Sequence, residues 1–278
     1  RVVVYKTFDN YGNDEMQLQY YISDVDKRIE LYIMGIGFIV LVLLIARKNG
    51  LKALFALIVT IAFIIKIFIP AIYNGYSPIF FAIITTIFSS LVTIYFTVGM
   101  NKKFVVALLG VTSGVLIAGI LSYIFTYRMR LNGFLDSDLL ASAYLLKNVK
   151  IKELIPAGVI IGSLGAVMDV AVSITSSINE LHETDPNMSK KSMFKSAINI
   201  GNDIIGTMIN TLILAYIASS IFTLLLIYIQ ANEYPLIRIL NFQDIAVEIM
   251  RSICGSIGIL IAVPLTAYIG TVIYKKNK

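Results

Sequence analysis

The sequence has little of what soluble enzymes and secreted domains depend on. Among its 278 residues there are one cysteine and one histidine, and charged residues make up only 14%. A single cysteine excludes an internal disulfide framework. The sequence also lacks a Cys/His cluster, a Walker A loop and a GxSxG motif, so nothing in it indicates a zinc centre, a P-loop nucleotide site or a serine hydrolase.

Apolar residues take the place of these features. Hydrophobic residues make up 58% of the chain, and several runs reach the ~20 residues that a helix needs to cross a bilayer. These runs predict an all-α membrane protein that crosses the membrane several times. The net charge of +6 is interpreted as the charge of membrane-facing loops, and no nucleic-acid partner is expected.

Seven membrane spans are predicted in a helical domain over residues 31–278. Residues 1–30 precede this domain and are strand-like at RVVVYKTF and MQLQYYI, with a turn-rich segment between them. They predict the remnant of a β-hairpin. Because the chain begins with Arg1 in mid-strand, we expect that it lacks its natural N-terminus. The predicted spans are 31–46, 51–70, 78–98, 104–127, 154–180, 197–229 and 252–274.

The positively charged loops predict the orientation. The loops after spans one, three and five and the C-terminal tail are rich in lysine and arginine, which places them in the cytoplasm by the positive-inside rule. The N-terminal segment is then outside. The basic loop 128–152 also falls outside and counts against this orientation. Within that loop, residues 136–146 predict a short interfacial helix.

Two carboxylates interrupt the fifth and sixth spans. Asp169 and Asp203 each lie 17 residues from Pro186, one on either side. If the chain turns at Pro186, the two acids reach about the same membrane depth on adjacent antiparallel helices. An ionisable group at that depth costs roughly 2.5–3.5 kcal/mol and needs a partner or a purpose.

Polar residues at helical spacing accompany each acid. Ser173, Ser176 and Glu180 share a helix face with Asp169, while Asn199, Gly206 and Asn210 share one with Asp203. Two such faces could line a proton or cation path, since hard cations prefer carboxylate, amide and hydroxyl oxygens. The alternative is interhelical hydrogen bonding that holds the hairpin together. The candidate path residues are Asp169, Asp203, Ser173, Asn199, Asn202, Thr207, Asn210, Gly165 and Gly206.

Small residues occur in the same two spans. Gly162, Gly165, Ala166, Gly201 and Gly206 either let helices pack closely or form an unwound segment whose backbone faces a ligand. The sixth span is also too long for one straight crossing, so three explanations stay open: it is tilted, it extends beyond the membrane, or it breaks near Gly201 and Gly206. At the start of span seven, Glu248 and Arg251 lie one turn apart and are interpreted as a local ion pair.

Three segments give the chain a resemblance to a known family. GSLGAVMDVAVSI (162–174), NIGNDIIGTMINTLILAY (199–216) and EIMRSICGSIGILIAVPLTA (248–267) resemble the YibE/F family of bacterial multi-span membrane proteins. The resemblance covers essentially the whole chain. It implies a bacterial inner-membrane location, an extracytoplasmic β-rich domain before the membrane region, and a homo-oligomer or a hetero-oligomer with a paralogue. The family pattern usually has Arg where this chain has Asn202, so an Arg–Asp pairing at Asp203 is in doubt.

Taken together, these features predict a secondary transporter or exporter driven by protons or a cation. The alternative is a non-transporting scaffold or receptor whose outer β domain binds a partner. No enzymatic activity is expected: intramembrane aspartyl proteases also use two Asp residues, but the sequence shows neither a YD nor a GxGD motif. No organic cofactor is expected, and a bound cation is the one ligand that the acids suggest.

Overall fold

The computed structural model describes residues 2–10, 16–133, 148–230 and 235–275. Strands β1 (Val2–Asn10) and β2 (Met16–Val25) precede a series of helices. The predicted interfacial helix at 136–146 lies outside the described residues. The helices are α1 (Arg28–Phe63), a π-helical turn (Ile64–Phe68), α2 (Ile69–Tyr73), α3 (Pro78–Val98), α4 (Lys102–Arg128), α5 (Ile151–Thr184), α6 (Lys190–Ser219), α7 (Ile221–Gln230), α8 (Leu236–Leu240) and α9 (Gln243–Tyr274).

The chain divides into two units, residues 1–54 and 55–278. In the first unit, β1 and β2 pair antiparallel, with Val2 opposite Val25 and an irregularity between Val3 and Val4. The carboxylate of Asp26 then accepts hydrogen bonds from the backbone and the side chain of Arg28 at the start of α1. These bonds lower the pKa of Asp26 to about 2.

Six helical runs among the described residues are long and apolar enough to cross a membrane. The chain is thus a multi-pass membrane protein, although the count differs from the seven spans predicted. The first run, Arg28–Tyr73, contains both predicted spans 31–46 and 51–70. The others are Pro78–Val98, Lys102–Arg128, Ile151–Thr184, Lys190–Ser219 and Gln243–Tyr274.

The first run is not a straight helix. Arg47 has φ 48° and ψ −127°, which are not helical angles. A Cβ at Gly50 would lie 2.8 Å from the carbonyl oxygen of Val42, whereas residues eight apart in a straight helix are separated by ~12 Å along the axis. Within the first unit, the chain therefore turns back on itself at Arg47.

The predicted sixth span, 197–229, also differs from the structure. Helix α6 begins at Lys190, passes unbroken through Gly201 and Gly206, and ends at Ser219; α7 follows after a break at Ser220 (φ −103°, ψ 10°). Of the three explanations for the length of this span, the break near Gly201 and Gly206 is therefore contradicted. Of this stretch, the run Lys190–Ser219 is the one apolar and long enough to span a membrane.

Helix α9 lies at the centre of the second unit and packs against α4, α5 and α6, while α5 also contacts α3 and α4. Glycine residues allow α4 and α9 to cross at a short distance. A Cβ at Gly114 on α4 would lie 2.9 Å from the carbonyl oxygen of Gly258 on α9 and 2.8 Å from the Val167 side chain on α5. At this point, three membrane helices meet with almost no side chain between two of them.

Candidate functional site

The two predicted Asp residues lie on the two limbs of a helical hairpin. Helix α5 ends at Thr184, and α6 begins after Ser189, whose hydroxyl oxygen accepts a hydrogen bond from the backbone N–H of Ser192 at 3.1 Å. The intervening turn includes Pro186. The buried ammonium group of Lys275 donates to the Pro186 carbonyl oxygen at 2.6 Å, tying the end of α9 to this turn.

Two contacts fix the register of the hairpin. A Cβ at Gly162 would lie 3.0 Å from the Tyr216 hydroxyl oxygen, and one at Gly201 would lie 3.4 Å from Cδ1 of Ile174. Interpolated between these contacts, the level of Asp169 on α5 falls about four residues from Asp203 on α6, or ~6 Å at 1.5 Å per residue. The two carboxylates are thus offset by about one helical turn along the hairpin.

Each acid lies on an exposed helix face. On α5, the residues on this face are spaced by three or four, and α6 repeats the pattern. The packed side of α6 is formed by Met193, Ala197, Gly201 and Leu212, on the side of the helix away from Asp203. The exposed residues are Gly162, Gly165, Asp169, Ser173, Ser176 and Glu180 on α5, and Asn199, Asn202, Asp203, Gly206, Thr207 and Asn210 on α6.

These polar side chains do not hold the two helices together. Within the described parts of the chain, no hydrogen bond or ion pair reaches the side chains of Asp169, Asp203, Asn199 or Asn210. The Thr207 hydroxyl donates to a backbone carbonyl of its own helix, that of residue 204, at 2.8 Å. The interhelical hydrogen bonding that the structural alternative requires is therefore not found between these faces.

The glycines predicted for the site serve different purposes. Both α5 and α6 are continuous where these glycines occur, which contradicts the alternative of an unwound segment. Gly201 is a packing residue, because a Cβ there would lie 2.4 Å from Cγ1 of Val263. At Gly165 and Gly206, by contrast, a Cβ would have no atom of a neighbouring helix within 4 Å, and their side of each helix is open.

A second polar cluster, at the start of α9, is more extensive than sequence analysis indicates. Arg251 donates to Glu248 at 2.7 Å, which confirms the local ion pair. The pair is at least three-quarters buried, and Glu248 Oε2 and the Tyr216 hydroxyl lie inaccessible nearby without a hydrogen-bond partner in the structure. Only the folded packing of α6 against α9 brings Tyr216 to this pair.

Beside this cluster is a cavity of about 500 Å³ between α6, α7 and α9. Neither Asp169 nor Asp203 lines it. Its wall is largely apolar, with hydroxyl groups and two carboxylates among the lining residues. These residues are Ile213, Tyr216, Ile217, Ser219, Ser220, Thr223, Leu224, Asp244, Ile245, Glu248, Ile249, Ser252 and Ile253.

The carboxylates do not form a conventional metal centre. Across the described ranges, no three His, Cys, Asp or Glu residues cluster closely enough to hold a metal ion. A cation at Asp169 or Asp203 would take its remaining ligands from amide and hydroxyl oxygens or from water. Asn199, Asn210, Ser173 and Thr207 lie on the faces where such ligands are needed.

Comparison with known proteins identifies the family of this chain. A family model described as YibE/F-like protein matches residues 34–276, which include every membrane helix from α3 onward and both acids. No curated protein and no solved structure matches the chain significantly.

Proposed function

The chain belongs to the YibE/F-like family, and we propose that it is a secondary transporter or exporter of the bacterial inner membrane, driven by protons or a cation. Asp169 and Asp203 bind the coupling ion. Asn199, Asn210, Ser173 and Thr207 supply neutral oxygen ligands.

The proposal depends chiefly on one observation: two carboxylates lie within about one helical turn of the same level on adjacent membrane helices, without a hydrogen-bonding partner among the described residues. An acid that merely stabilised the hairpin would bond to the neighbouring helix, and neither does. An unpaired acid within the membrane carries a cost of roughly 2.5–3.5 kcal/mol. Binding and release of a coupling ion is a function that would justify this cost.

The open faces around the acids support the same function. A transport path needs polar groups along one side of its helices, and the polar residues of α5 and α6 lie on exposed faces beside the two acids. Both helices are unbroken. The ion would therefore be bound by side chains, without the exposed backbone groups that broken transporter helices provide.

The test is ion flux in vesicles containing the purified protein. Proton entry is followed with a trapped pH dye under an imposed K⁺ diffusion potential, with and without a Na⁺ gradient, for the wild type, Asp169→Asn and Asp203→Asn. We expect both variants to lose the wild-type flux. Wild-type rates in both variants would reject the assigned roles.

Glu180→Gln is the matched control, because it removes a carboxylate from the same face of α5, almost at the end of the helix. It should retain flux. Thermal unfolding of the three variants should show no loss of stability relative to the wild type, since no described residue bonds to these side chains and an amide removes the cost of a charge in the membrane. Loss of folding would instead point to a structural role for the acids.

A further inference from the structure

Helix α6 is the least enclosed of the second unit's membrane helices. Of its most apolar 18-residue stretch, 11% is buried, compared with 33–56% for α3, α4, α5 and α9. It also has the lowest mean hydropathy of these helices, 1.4. A helix that is both poorly covered and comparatively polar is unsuited to contact with lipid.

The uncovered side of α6 carries a regular seam of small and polar residues. From Ser192 to Asn210, the positions alternate in steps of four and three, which is the a/d spacing of helices that pair along their length. Every position on this seam is exposed or partly exposed. The α6 seam consists of Ser192, Ser196, Asn199, Asp203, Gly206 and Asn210.

The hydrocarbon region of the membrane offers no hydrogen-bonding groups to the polar side chains of this seam. Asp203 lies 13 residues from the start of α6, or ~20 Å along a helix of ~45 Å, and two turns beyond Lys195 in the apolar part of the helix. Asn199 and Asn210 lie within two turns on either side. Three polar side chains along one face, none with a partner in the described structure, require another protein surface.

We propose that the α6 seam packs against the same seam of a second copy of this chain, around a twofold axis normal to the membrane. Two copies inserted in one membrane have the same orientation, so each seam residue meets its counterpart at the same depth. Small residues and amides are the groups that drive association of membrane helices.

The chemistry of the seam is self-complementary under this arrangement. Gly206 has nothing within 4 Å of a Cβ position, so two backbones can approach closely at the centre. The amide groups of Asn199 and Asn202 are hydrogen-bond donors one turn and one residue from Asp203. They can donate across the interface to the carboxylate of the other copy, while a proton or cation between the two acids offsets their repulsion.

This pairing places the ion site at the dimer axis, and this part of the inference rests on the proposed function. The single site at the axis would then contain Asp203 from both copies and would be incomplete in a monomer. The association itself can be measured without any flux. Failure of the interface can thus be distinguished from failure of the transport proposal.

Cysteine crosslinking in native membranes tests the interface. In a Cys254→Ala background, single cysteines replace Asn199, Gly206 or Asn210 on the seam, and Thr211 or Ala215 as exposed off-seam controls on the same helix. Two differently tagged copies are expressed together and treated with a short bis-maleimide. Seam cysteines should join the two tags several-fold more efficiently than the controls, and equal or absent crosslinking at the seam would overturn the proposal.

A second measurement tests whether the crosslinks report stable pairs or chance collisions between copies. Gly206→Leu adds a bulky side chain where no described atom lies within 4 Å of the Cβ position, so the variant should fold but fail to pair. Subunit counting by photobleaching in nanodiscs should give two copies for the wild type and Ala215→Leu, and one for Gly206→Leu. A folded Gly206→Leu protein that still gives two copies would contradict the seam, as would a monomeric wild type.

Discussion

Individual glycine residues in the membrane helices differ in what they do, although the sequence presents them alike. Gly114 lies against the backbone of α9, and Gly201 against Val263, so both are required by packing. A Cβ at Gly165 or Gly206 would meet no neighbouring helix. Adding a methyl group at each position therefore distinguishes glycines that pack within the chain from glycines on surfaces available to partners.

Gly114→Ala should destabilise the protein. The added Cβ would lie 2.8 Å from Ala262 Cβ and 2.9 Å from the Gly258 carbonyl oxygen, and overpacking of this kind costs about 1–3 kcal/mol. Gly165→Ala is the control and should be neutral or stabilising by up to ~1 kcal/mol, because alanine favours the helix. Thermal unfolding in detergent measures both, and equal melting temperatures would contradict the close crossing.

The Glu248–Arg251 ion pair gives a second prediction at this scale. Arg251→Met leaves the largely buried Glu248 carboxylate without its partner, which should cost about 1–3 kcal/mol. Adding Glu248→Gln should recover part of that loss, because the unpaired charge is then removed. Denaturant unfolding of the two single variants and the double variant measures the coupling. Strictly additive losses would show that the two side chains act independently.

Among the helical elements, the run Arg28–Tyr73 contains a reversal at the basic loop predicted between spans 31–46 and 51–70. Its backbone is non-helical at Arg47, a residue with a side chain in a region that favours glycine. The cost of holding such a residue there is on the order of 1–3 kcal/mol. Favourable contacts elsewhere in the fold must compensate for it.

Arg47→Gly should therefore preserve or raise stability by about 1 kcal/mol, since glycine adopts positive φ without strain. Lys48→Gly provides the comparison, because it places glycine in a helical position and should lower stability by about 1 kcal/mol. Thermal unfolding of the two variants checks the difference. The reverse order of melting temperatures would place the turn elsewhere.

For the whole molecule, the reversal at Arg47 decides how often the chain crosses the membrane. If 31–46 and 51–70 are separate crossings, β2 and the 71–77 loop lie on the same side. If the run Arg28–Tyr73 crosses once, they lie on opposite sides. We predict the first arrangement, which gives seven crossings with the N-terminal strands outside and the C-terminus in the cytoplasm.

Labelling with a membrane-impermeant maleimide tests this topology in a Cys254→Ala background. Cysteines at Ser23 and Tyr73 should both react in intact cells, and one at Lys191 should react only after permeabilisation. Reaction at just one of Ser23 and Tyr73 would show that the first run crosses once.

Sequence analysis predicts most helices well, because local signals mark their ends. Span 78–98 coincides with α3, where the Ser77 hydroxyl oxygen accepts from the backbone N–H of Phe80 and Pro78 follows. The predicted start of α6 is seven residues late, since its lysine-rich first turn is polar and the cap at Ser189 precedes the apolar run. Hydropathy detects the apolar part of a helix and misses its polar ends.

The sequence alone determined that the chain is a membrane protein and that two acids lie equally far from one turn, because hydropathy and the helical repeat act along the chain. Only the tertiary structure decided that Asp203 is turned away from the packed side of α6, and that Tyr216 lies beside Glu248. The helical repeat fixes angles between residues of one helix, but the rotation of that helix against its neighbours depends on glycine contacts such as Gly201 with Val263. Those contacts join residues far apart in the chain, and no local pattern specifies them.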